Sequence, residues 1–177
     1  MKFSRADISD IIIIEPNVFR DDRGYFFESF KQNELNEFLG YDVNFCQDNE
    51  SKSTYGVLRG LHYQEPPFAQ AKLVRVIKGS VLDVAVDIRK NSPTFGKHIV
   101  IELNDQNKKQ LFIPTGFAHG YVVLSETAIF SYKVDNYYNR EFEKGLAYND
   151  PNIGVNWKIK SHLKISQRDL NNPFLAF

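Results

Sequence analysis

The sequence predicts an all-β protein, built as an antiparallel β-sandwich, a jelly roll or a small barrel. After residue 56, short apolar runs follow one another at the regular spacing of such folds. Strands do not alternate with helices, and no G-x-G-x-x-G or Walker motif occurs, so a dinucleotide-binding fold or a P-loop ATPase is not expected. One domain spanning residues 1–177 is expected, because a chain of this length can bury a hydrophobic core without disulfides or a structural metal.

The N-terminal part predicts two strands joined by a loop. An apolar, β-branched run at 8–14 is stopped by Pro16, and the aromatic run YFFESF at 25–30 follows a DDRG turn. The period of two places Glu28 on one face between two phenylalanines. A charged residue in that position is also typical of an edge strand that avoids aggregation.

One helix is predicted next, at residues 31–39, because apolar residues recur there at helical spacing and Gly40 is a C-terminal stop signal. The polar stretch FCQDNESKSTYG at 45–56 is interpreted as a turn-rich loop. Three of its side chains could cap a turn or present amide and carboxylate groups to a polar ligand. They are Gln47, Asp48 and Asn49.

The rest of the chain is predicted to be strands. Two runs within 72–88 flank a Gly-Ser turn and predict a hairpin, in which Asp83 and Asp87 share the face opposite the apolar residues. A turn of helix is expected near 166–170. The further predicted strands lie at 98–104, 110–114, 120–124 and 128–134.

Composition limits the classes of function. Lysine plus arginine and aspartate plus glutamate both number 22, which argues against nucleic-acid binding through a basic surface. The single cysteine, Cys46, cannot form an intrachain disulfide, and this favours a reducing compartment. The longest apolar run, at 11–14, is too short to span a bilayer, and no signal peptide is evident. A cytoplasmic protein without a membrane partner is expected.

Five polar residues stand in or beside predicted strands flanked by aromatics, where a strand interior does not need them. They are Arg59, His62, Lys72, His119 and Tyr132. A barrel could bring them together, although a histidine beside apolar residues is more often structural. In the stretch GVLRGLHYQ, strict alternation puts Arg59 and His62 on opposite faces, whereas Gly56 and Gly60 often mark a bulge that could re-aim one of the two.

A metal site is not expected, because His62 and His119 each lack a neighbouring histidine and His98 and His162 lie in surface-like contexts. A metal-free barrel holding His, Lys and Tyr suits proton transfer next to a carbonyl group. Imidazole can remove the proton, an ammonium group can stabilise the enolate, and a tyrosine on the other side can return a proton. Return from the opposite face would invert the carbon.

Five blocks of sequence resemble the dTDP-4-dehydrorhamnose 3,5-epimerase family, nearly from end to end. The blocks are QDNESKS, GVLRGLHYQ, AQAKLVRVIKGSVLDVAVDIRKNSPTFGK, NKKQLFIPTGFAHGYVVLS, and YKVDNYYNREFEKG followed by NDPNIGVNW. The resemblance implies an antiparallel, cupin-like jelly-roll barrel with a few short peripheral helices, and a homodimer without metal or organic cofactor. It implies dTDP-4-dehydro-6-deoxy-D-glucose as the substrate, epimerised at C3 and C5 on the way to dTDP-L-rhamnose.

The resemblance also implies roles for individual residues. His62 corresponds to the base, Tyr132 to the acid, Lys72 to the cation that stabilises the enolate, and Asp169 to the carboxylate that orients His62. Arg168 would lie near the nucleotide and Tyr138 would stack on thymine. The remaining implied substrate contacts are Arg23, Glu28, Gln47, Asp48, Asn49, Arg59, His119 and Glu143.

Three residues depart from the pattern common in the family and put the fine fit of the pocket in question: Glu50 replaces a frequent His, Ala71 a frequent Gly, and Arg168 a frequent Lys. Two other functions are compatible with the sequence. One is a monofunctional 3- or 5-epimerase of a dTDP-4-ketosugar. The other is a sugar-nucleotide binding module without catalysis.

Overall fold

The computed structural model describes residues 1–159 and 162–176, and strands dominate the described part of the chain. The first strands are β1 (Lys2–Arg5), β2 (Ile12–Glu15), β3 (Phe19–Asp21), β4 (Gly24–Phe26), β5 (Gln47–Thr54), β6 (Leu58–Gln64) and β7 (Lys72–Lys78). They are followed by β8 (Ser80–Asp87), β9 (His98–Asn104), β10 (Gln110–Ile113), β11 (Phe117–Val123), β12 (Thr127–Val134) and β13 (Glu143–Gly145). The helices are α1 (Gln32–Leu39) and α2 (Gln167–Leu170).

Two antiparallel sheets face each other. The six-stranded sheet has the order β1-β2-β10-β7-β12-β5, and the five-stranded sheet has the order β13-β6-β11-β8-β9. A separate hairpin is formed by β3 and β4. Strands distant in sequence are neighbours in both sheets, and the architecture is an antiparallel, cupin-like jelly roll. The fold class expected from the sequence is confirmed.

Three apolar clusters hold the sheets and their coverings together. The central cluster lies between the sheets and joins residues such as Val76 and Phe130 of one to Ala85 and Leu103 of the other. A second cluster lies on the outer face of the five-stranded sheet, where the C-terminal segment covers it with Trp157. The third lies on the outer face of the six-stranded sheet. This third cluster includes Leu35, through which α1 packs against the sheet.

Both helix predictions are confirmed. Helix α1 ends at Gly40, whose φ of 79° is left-handed and whose N–H bonds the Asn36 carbonyl at 2.8 Å. Helix α2 has Ser166 as its N-cap, and the Ser166 hydroxyl accepts a hydrogen bond from the Asp169 N–H at 3.1 Å. The second helix therefore has a fixed start, which matters for the position of Asp169.

Four strand predictions after residue 98 are confirmed as β9 to β12. The two N-terminal predictions are correct in kind and too long, because the strands cover only Ile12–Glu15 and Gly24–Phe26. The loop predicted at 45–56 is wrong. Residues Gln47–Thr54 form β5, which pairs along its whole length with β12. One face of β5 borders a polar cavity and the other faces solvent, so its sequence lacks the apolar alternation from which a strand is predicted.

The hairpin predicted within 72–88 is also wrong. β7 pairs with β10 and β12 in the six-stranded sheet, whereas β8 pairs with β9 and β11 in the five-stranded sheet. The chain crosses from one sheet to the other at the Gly-Ser turn. Two apolar runs around a short turn give the same local signal for a hairpin and for such a crossing, and only long-range pairing separates them.

No helix within residues 1–159 and 162–176 is long and apolar enough to cross a membrane. Nor do any three His, Cys, Asp or Glu side chains in those ranges lie close enough to hold a metal ion together.

Candidate active site

A cavity of about 570 Å³ opens between the two sheets and collects the four residues to which the family resemblance gives catalytic roles. His62 lines it from β6 and Asp169 from α2, while Lys72 and Tyr132 line it from β7 and β12. β6 belongs to the five-stranded sheet, and β7 and β12 belong to the six-stranded sheet. His62 and the pair Lys72 and Tyr132 therefore approach the same space from facing walls.

A β-bulge in β6 turns both Arg59 and His62 towards this cavity. His119 of β11 pairs with His62, and Tyr121 pairs with Arg59, so β6 advances three residues while β11 advances two. The extra residue converts opposite faces into the same face. The strict alternation expected for Arg59 and His62 is therefore wrong, and the bulge suggested by Gly60 is confirmed.

The bulge depends on a close approach of two strands. Gly60 has φ of 117°, and a Cβ atom there would lie 2.7 Å from both the Gly120 Cα and the His119 carbonyl oxygen. A Cβ atom at Gly120 would lie 2.6 Å from the Arg59 carbonyl oxygen. Only glycine fits at these two positions without moving backbone.

His62 and Asp169 form a hydrogen-bonded pair. The distance from His62 Nε2 to Asp169 Oδ1 is 2.7 Å, and the Gly60 N–H donates to the other carboxylate oxygen at 3.3 Å. Asp169 is only 5% exposed. Burial alone would raise the pKa of Asp169, but the hydrogen bond and charge of His62, with help from Gly60 and Ser166, lower it below the usual value. The carboxylate is thus ionised and accepts the Nε2 hydrogen, which leaves the lone pair of a neutral ring on Nδ1.

Lys72 carries a partly buried ammonium group. Its Nζ donates to the His62 carbonyl oxygen at 3.3 Å. Burial lowers the pKa of Lys72 to about 8, and the charges of Asp83 and Glu143 oppose this shift. Lys72 is consequently a stronger acid than a lysine in water, and it still carries a proton at neutral pH.

Tyr132 keeps its phenolic hydrogen. Burial raises the pKa of Tyr132, and the neighbouring Tyr121 and Glu143 add to the rise while Arg59 opposes it. In the sheet register Tyr132 lies opposite Val74 and Val134 lies opposite Lys72, so Tyr132 and Lys72 are diagonal neighbours. The six-stranded wall therefore presents an acid and a cation side by side.

Similarity of sequence identifies the protein family. A family model described as dTDP-4-dehydrorhamnose 3,5-epimerase matches residues 5–176. The chain belongs to this epimerase family. It is 52% identical over 171 residues to the dTDP-4-dehydrorhamnose 3,5-epimerase of Shigella flexneri, and the alignment covers 97% of this chain and 94% of that one. The resemblance expected from the five blocks is confirmed.

Solved structures of epimerases have the same fold. The dTDP-6-deoxy-D-glucose-3,5-epimerase of Legionella pneumophila Philadelphia 1, in complex with dTDP-4-keto-L-rhamnose, gives a TM-score of 0.95 at 45% identity and covers 98% of this chain and 92% of its own. ChmJ, a 3'-monoepimerase from Streptomyces bikiniensis in complex with dTDP-quinovose, gives 0.92 at 30% identity and covers 97% of this chain and 86% of its own. The fold is thus shared by epimerases named for two positions and for one.

Of the substrate contacts implied by the family, Arg59, Asn49, His119 and Arg168 line the cavity. The Arg59 Nε–H donates to the Ser53 hydroxyl at 3.0 Å. Two further groups form a chain with Arg168: the Tyr138 hydroxyl donates to Glu143 at 2.6 Å, and Arg168 pairs with Glu143 at 2.7 Å. Burial alone would raise the pKa of Glu143, but Tyr138 and Arg168 outweigh it and hold it below the usual value. Glu143 thus links an exposed aromatic ring to an arginine of the cavity.

Tyr138 and Glu143 lie outside the cavity lining, and so do the other four implied contacts. Glu28 pairs with Lys31 at 2.7 Å, and Arg23 pairs with Asp21 at the tip of the β3–β4 hairpin. The remaining two lie on β5: Gln47 donates to Asn49 at 2.8 Å, and Asp48 pairs with Lys133 at 2.8 Å. Their roles as substrate contacts stay predictions.

The departures from the family pattern are distributed unevenly. Glu50 lines the cavity, and Arg168 lines it while pairing with Glu143. Ala71 is buried in the third apolar cluster, with its N–H bonded to Asp135 at 2.6 Å. Of the three, Glu50 and Arg168 are the departures that a bound substrate could meet.

Sequence reasoning missed several polar groups of the site. Asp83 bonds His119 through both carboxylate oxygens, at 2.9 and 3.1 Å from Nε2. Ser51 and Tyr121 share a hydrogen bond of 2.8 Å in the cavity wall. The available signal for Asp83 was an acid in a strand of apolar residues, a pattern that more often marks a solvent-facing side.

Proposed function

We propose that the protein epimerises dTDP-4-dehydro-6-deoxy-D-glucose at C3 and C5 to give dTDP-4-dehydro-L-rhamnose, as an isomerase of dTDP-L-rhamnose biosynthesis. The observation that carries the proposal is the convergence of His62, Lys72 and Tyr132 on one cavity from two facing sheets. The family and its solved relatives support the substrate class, since both structures named above hold dTDP sugars.

His62 is the proposed base. Asp169 accepts the hydrogen on Nε2 at 2.7 Å, so Nδ1 of the neutral ring carries the lone pair that takes the proton from carbon. The fixed carboxylate also stabilises the imidazolium that forms. Since C3 and C5 both flank the C4 ketone, removal of either proton gives an enolate with its charge on the same oxygen.

Lys72 is the proposed partner of that oxygen. One ammonium group at the C4 position serves both carbons, because both enolates share O4. A donor held at such an oxyanion is worth roughly 3–4 kcal/mol of barrier. The pKa of about 8 places the proton of Lys72 near the range in which it can be shared strongly with the enolate.

Tyr132 is the proposed acid. Its phenol remains protonated at neutral pH because burial raises its pKa. It approaches from the wall opposite His62, so a proton removed on one face of the sugar returns on the other. Inversion of the carbon follows from this placement of acid and base in different sheets.

Arg59 and Arg168 are the proposed diphosphate and nucleotide contacts. Guanidinium groups bind phosphate oxygens through charge-assisted hydrogen bonds worth about 1.5–3 kcal/mol each. Tyr138, half exposed beside Glu143 and Arg168, is the proposed stacking platform for thymine. Each chemical step uses a side chain of the protein, so the proposed reaction needs no metal or organic cofactor, and activity should survive EDTA followed by dialysis.

A homodimer is part of the proposal. Phe19 and Phe26 on the β3–β4 hairpin are 64% and 68% exposed, which is costly for large apolar side chains unless a partner covers them. Arg23 on the same hairpin lies outside the cavity of its own chain, so its proposed contact with substrate requires the cavity of a second copy. Sedimentation equilibrium tests this: a monomer at micromolar concentration would contradict it, and Phe19→Ser with Phe26→Ser should weaken the dimer.

The test of the reaction is solvent exchange. Incubation of the ketosugar nucleotide in D2O should introduce deuterium at both C3 and C5, as read by NMR and mass spectrometry. His62→Ala should lose about 10²–10⁴ in rate while dTDP binding is largely kept. His98→Ala is the matched control, because His98 lies on β9 outside the cavity lining.

The same experiment separates the alternatives. Exchange at one carbon only would indicate a monofunctional epimerase, a function that the likeness to the 3'-monoepimerase keeps open. Binding of dTDP without exchange at either carbon, unaffected by His62→Ala, would indicate a binding module and contradict the epimerase proposal.

A further inference from the structure

Asp83 is a buried carboxylate for which the proposed reaction has no role so far. It lies on β8, is 0% exposed, and holds both oxygens at 2.9 and 3.1 Å from His119 Nε2. His119 itself is 7% exposed and lines the active cavity. Buried carboxylates are costly unless paired, so a feature of this kind requires a structural or functional reason.

The sheet register directs Asp83 towards the cavity. Asp83 lies opposite Tyr121 and His119 lies opposite Ala85, so Asp83 and His119 are diagonal neighbours on one face of the sheet. Ala85 and Tyr121 belong to the central apolar cluster between the sheets. In this poorly solvated space the charge of Asp83 is weakly screened and acts across the cavity.

Lys72 lines the same cavity as His119, the hydrogen-bond partner of Asp83, and it does so from the facing six-stranded sheet. Burial lowers the pKa of Lys72, and among the charges that oppose this effect Asp83 has the largest influence and Glu143 the next. Asp83 on β8 and Glu143 on β13 act on Lys72 through their charges. The titratable and charged groups that line the cavity with Lys72 are Glu50 on β5, Arg59 and His62 on β6, His119 and Tyr121 on β11, Tyr132 on β12, Lys164, and Arg168 and Asp169 on α2. Asp169 is engaged by His62, and Glu143 by Arg168. Asp83 is engaged by His119 in the same way, but it is 0% exposed and has the largest effect of these charges on the pKa of Lys72.

We propose that Asp83 is a positioning residue that acts on two groups of the active cavity at once. Its carboxylate fixes a hydrogen on Nε2 of His119, and its charge keeps the ammonium form of Lys72 in the cavity. The effect on the rate rests on the proposed epimerase function. The effects on Lys72 and His119 do not, because they exist in the resting protein.

The first test measures the titration of Lys72 by NMR of ¹⁵N- and ¹³C-lysine-labelled protein without substrate, with the signal assigned through Lys72→Arg. Asp83→Asn keeps the size of the side chain and removes its charge. The titration midpoint of Lys72 should fall by about one unit from its starting value near 8. An unchanged midpoint would overturn the proposal.

Asp87→Asn is the matched control. Asp87 lies on the same strand and is equally buried, but it bonds Arg89, Ser92 and Thr94 instead of a cavity residue. It should leave the Lys72 midpoint in place. A shift of equal size in both variants would show a general effect of losing a buried charge on β8 and would also overturn the proposal.

The second test needs no variant of Asp83. The ¹⁵N spectrum of histidine-labelled protein, assigned through His119→Asn, reports which ring nitrogen carries hydrogen. Hydrogen on Nε2 is expected, and hydrogen on Nδ1 alone would overturn the proposal. This measurement keeps the inference testable even when Asp83→Asn does not fold.

The pH profile connects the inference to activity. A midpoint lowered by one unit leaves about one tenth of Lys72 charged at pH 8 in place of about one half, so kcat should fall about fivefold there and recover towards pH 6.5. An equal loss at every pH would indicate structural damage and contradict the role. A wild-type protein without epimerase activity refutes the proposed function alone, while an unshifted Lys72 midpoint refutes the role of Asp83 alone.

Discussion

Substitution of Gly60 by alanine tests whether the bulge in β6 positions the active residues. The added Cβ would lie 2.7 Å from the Gly120 Cα and 2.7 Å from the His119 carbonyl oxygen, both of them backbone atoms of β11. Backbone cannot rotate away as a side chain can. The two strands must separate by about 0.5–1 Å before the contact becomes an ordinary van der Waals contact.

The substitution should change both the stability and the rate, and the two effects can be measured separately. Overpacking typically costs about 1–3 kcal/mol, and an alanine at positive φ adds about 1–2 kcal/mol. For a chain of this length the sum corresponds to a fall in Tm of roughly 4–20 °C. A shift of His62 and Arg59 by up to 1 Å relative to His119 should lower kcat/KM by about 10².

Differential scanning calorimetry measures the first effect, and epimerisation kinetics well below the lowered Tm measure the second. Gly40→Ala is the control, since Gly40 also has positive φ, of 79°, but a Cβ there would meet nothing within 4 Å. It should lose about 1–2 kcal/mol without losing activity. If Gly60→Ala lowers Tm and leaves kcat/KM unchanged, the bulge does not position the site and the reasoning fails.

Three further predictions concern the cap, the lysine and the exposed ring. Ser166→Ala removes the acceptor of the Asp169 N–H at 3.1 Å, so it should lower the local stability of α2 by about 0.5–2 kcal/mol and reduce kcat. Ser166→Thr should restore both. Hydrogen exchange of α2 measures the stability, and kinetics measure kcat. Activity should fall as the pH rises through about 8, because Lys72 loses its proton. In urea unfolding, the free energy of unfolding should rise with pH between about 8 and 10.4 relative to Lys72→Met, because in that range the unfolded chain holds a proton that the folded chain has released. Equal pH dependence in the two proteins would refute the lowered pKa. Tyr138→Ala should raise KM roughly tenfold to a hundredfold through loss of stacking, whereas Tyr138→Phe should change it little; equal effects would exclude the ring as the platform.

Much of the candidate site could be predicted from sequence. His62, Lys72, Tyr132 and Asp169 come from four separate elements, and all of them line one cavity. Chemically unusual residues in strands, together with the family pattern, were sufficient to single them out. The implied substrate contact of Glu28 stays a prediction, because the structure places Glu28 outside the cavity lining and paired with Lys31.

Asp83 was not predicted, and the reason is physical. Alternation shows which residues share a face of a strand, but it does not show whether that face meets water or another sheet. In β8 both faces are buried: Leu82 and Val84 pack in the second apolar cluster, and Ala85 packs in the central one. An acid on such a strand looks identical, in sequence, to one on a solvent-facing side.

The sequence by itself determined the fold class, the two helices and the later strands, and together with the family pattern it singled out four residues that line one cavity. Each of these depends on local patterns, on caps and turns, or on motifs that keep their spacing. The tertiary structure decided which sheet each strand joins, that β5 is a strand, and that three residues in β6 against two in β11 bring Arg59 and His62 to one face. These features depend on pairing between strands far apart in the chain, and a period of two within one strand carries no information about its partners.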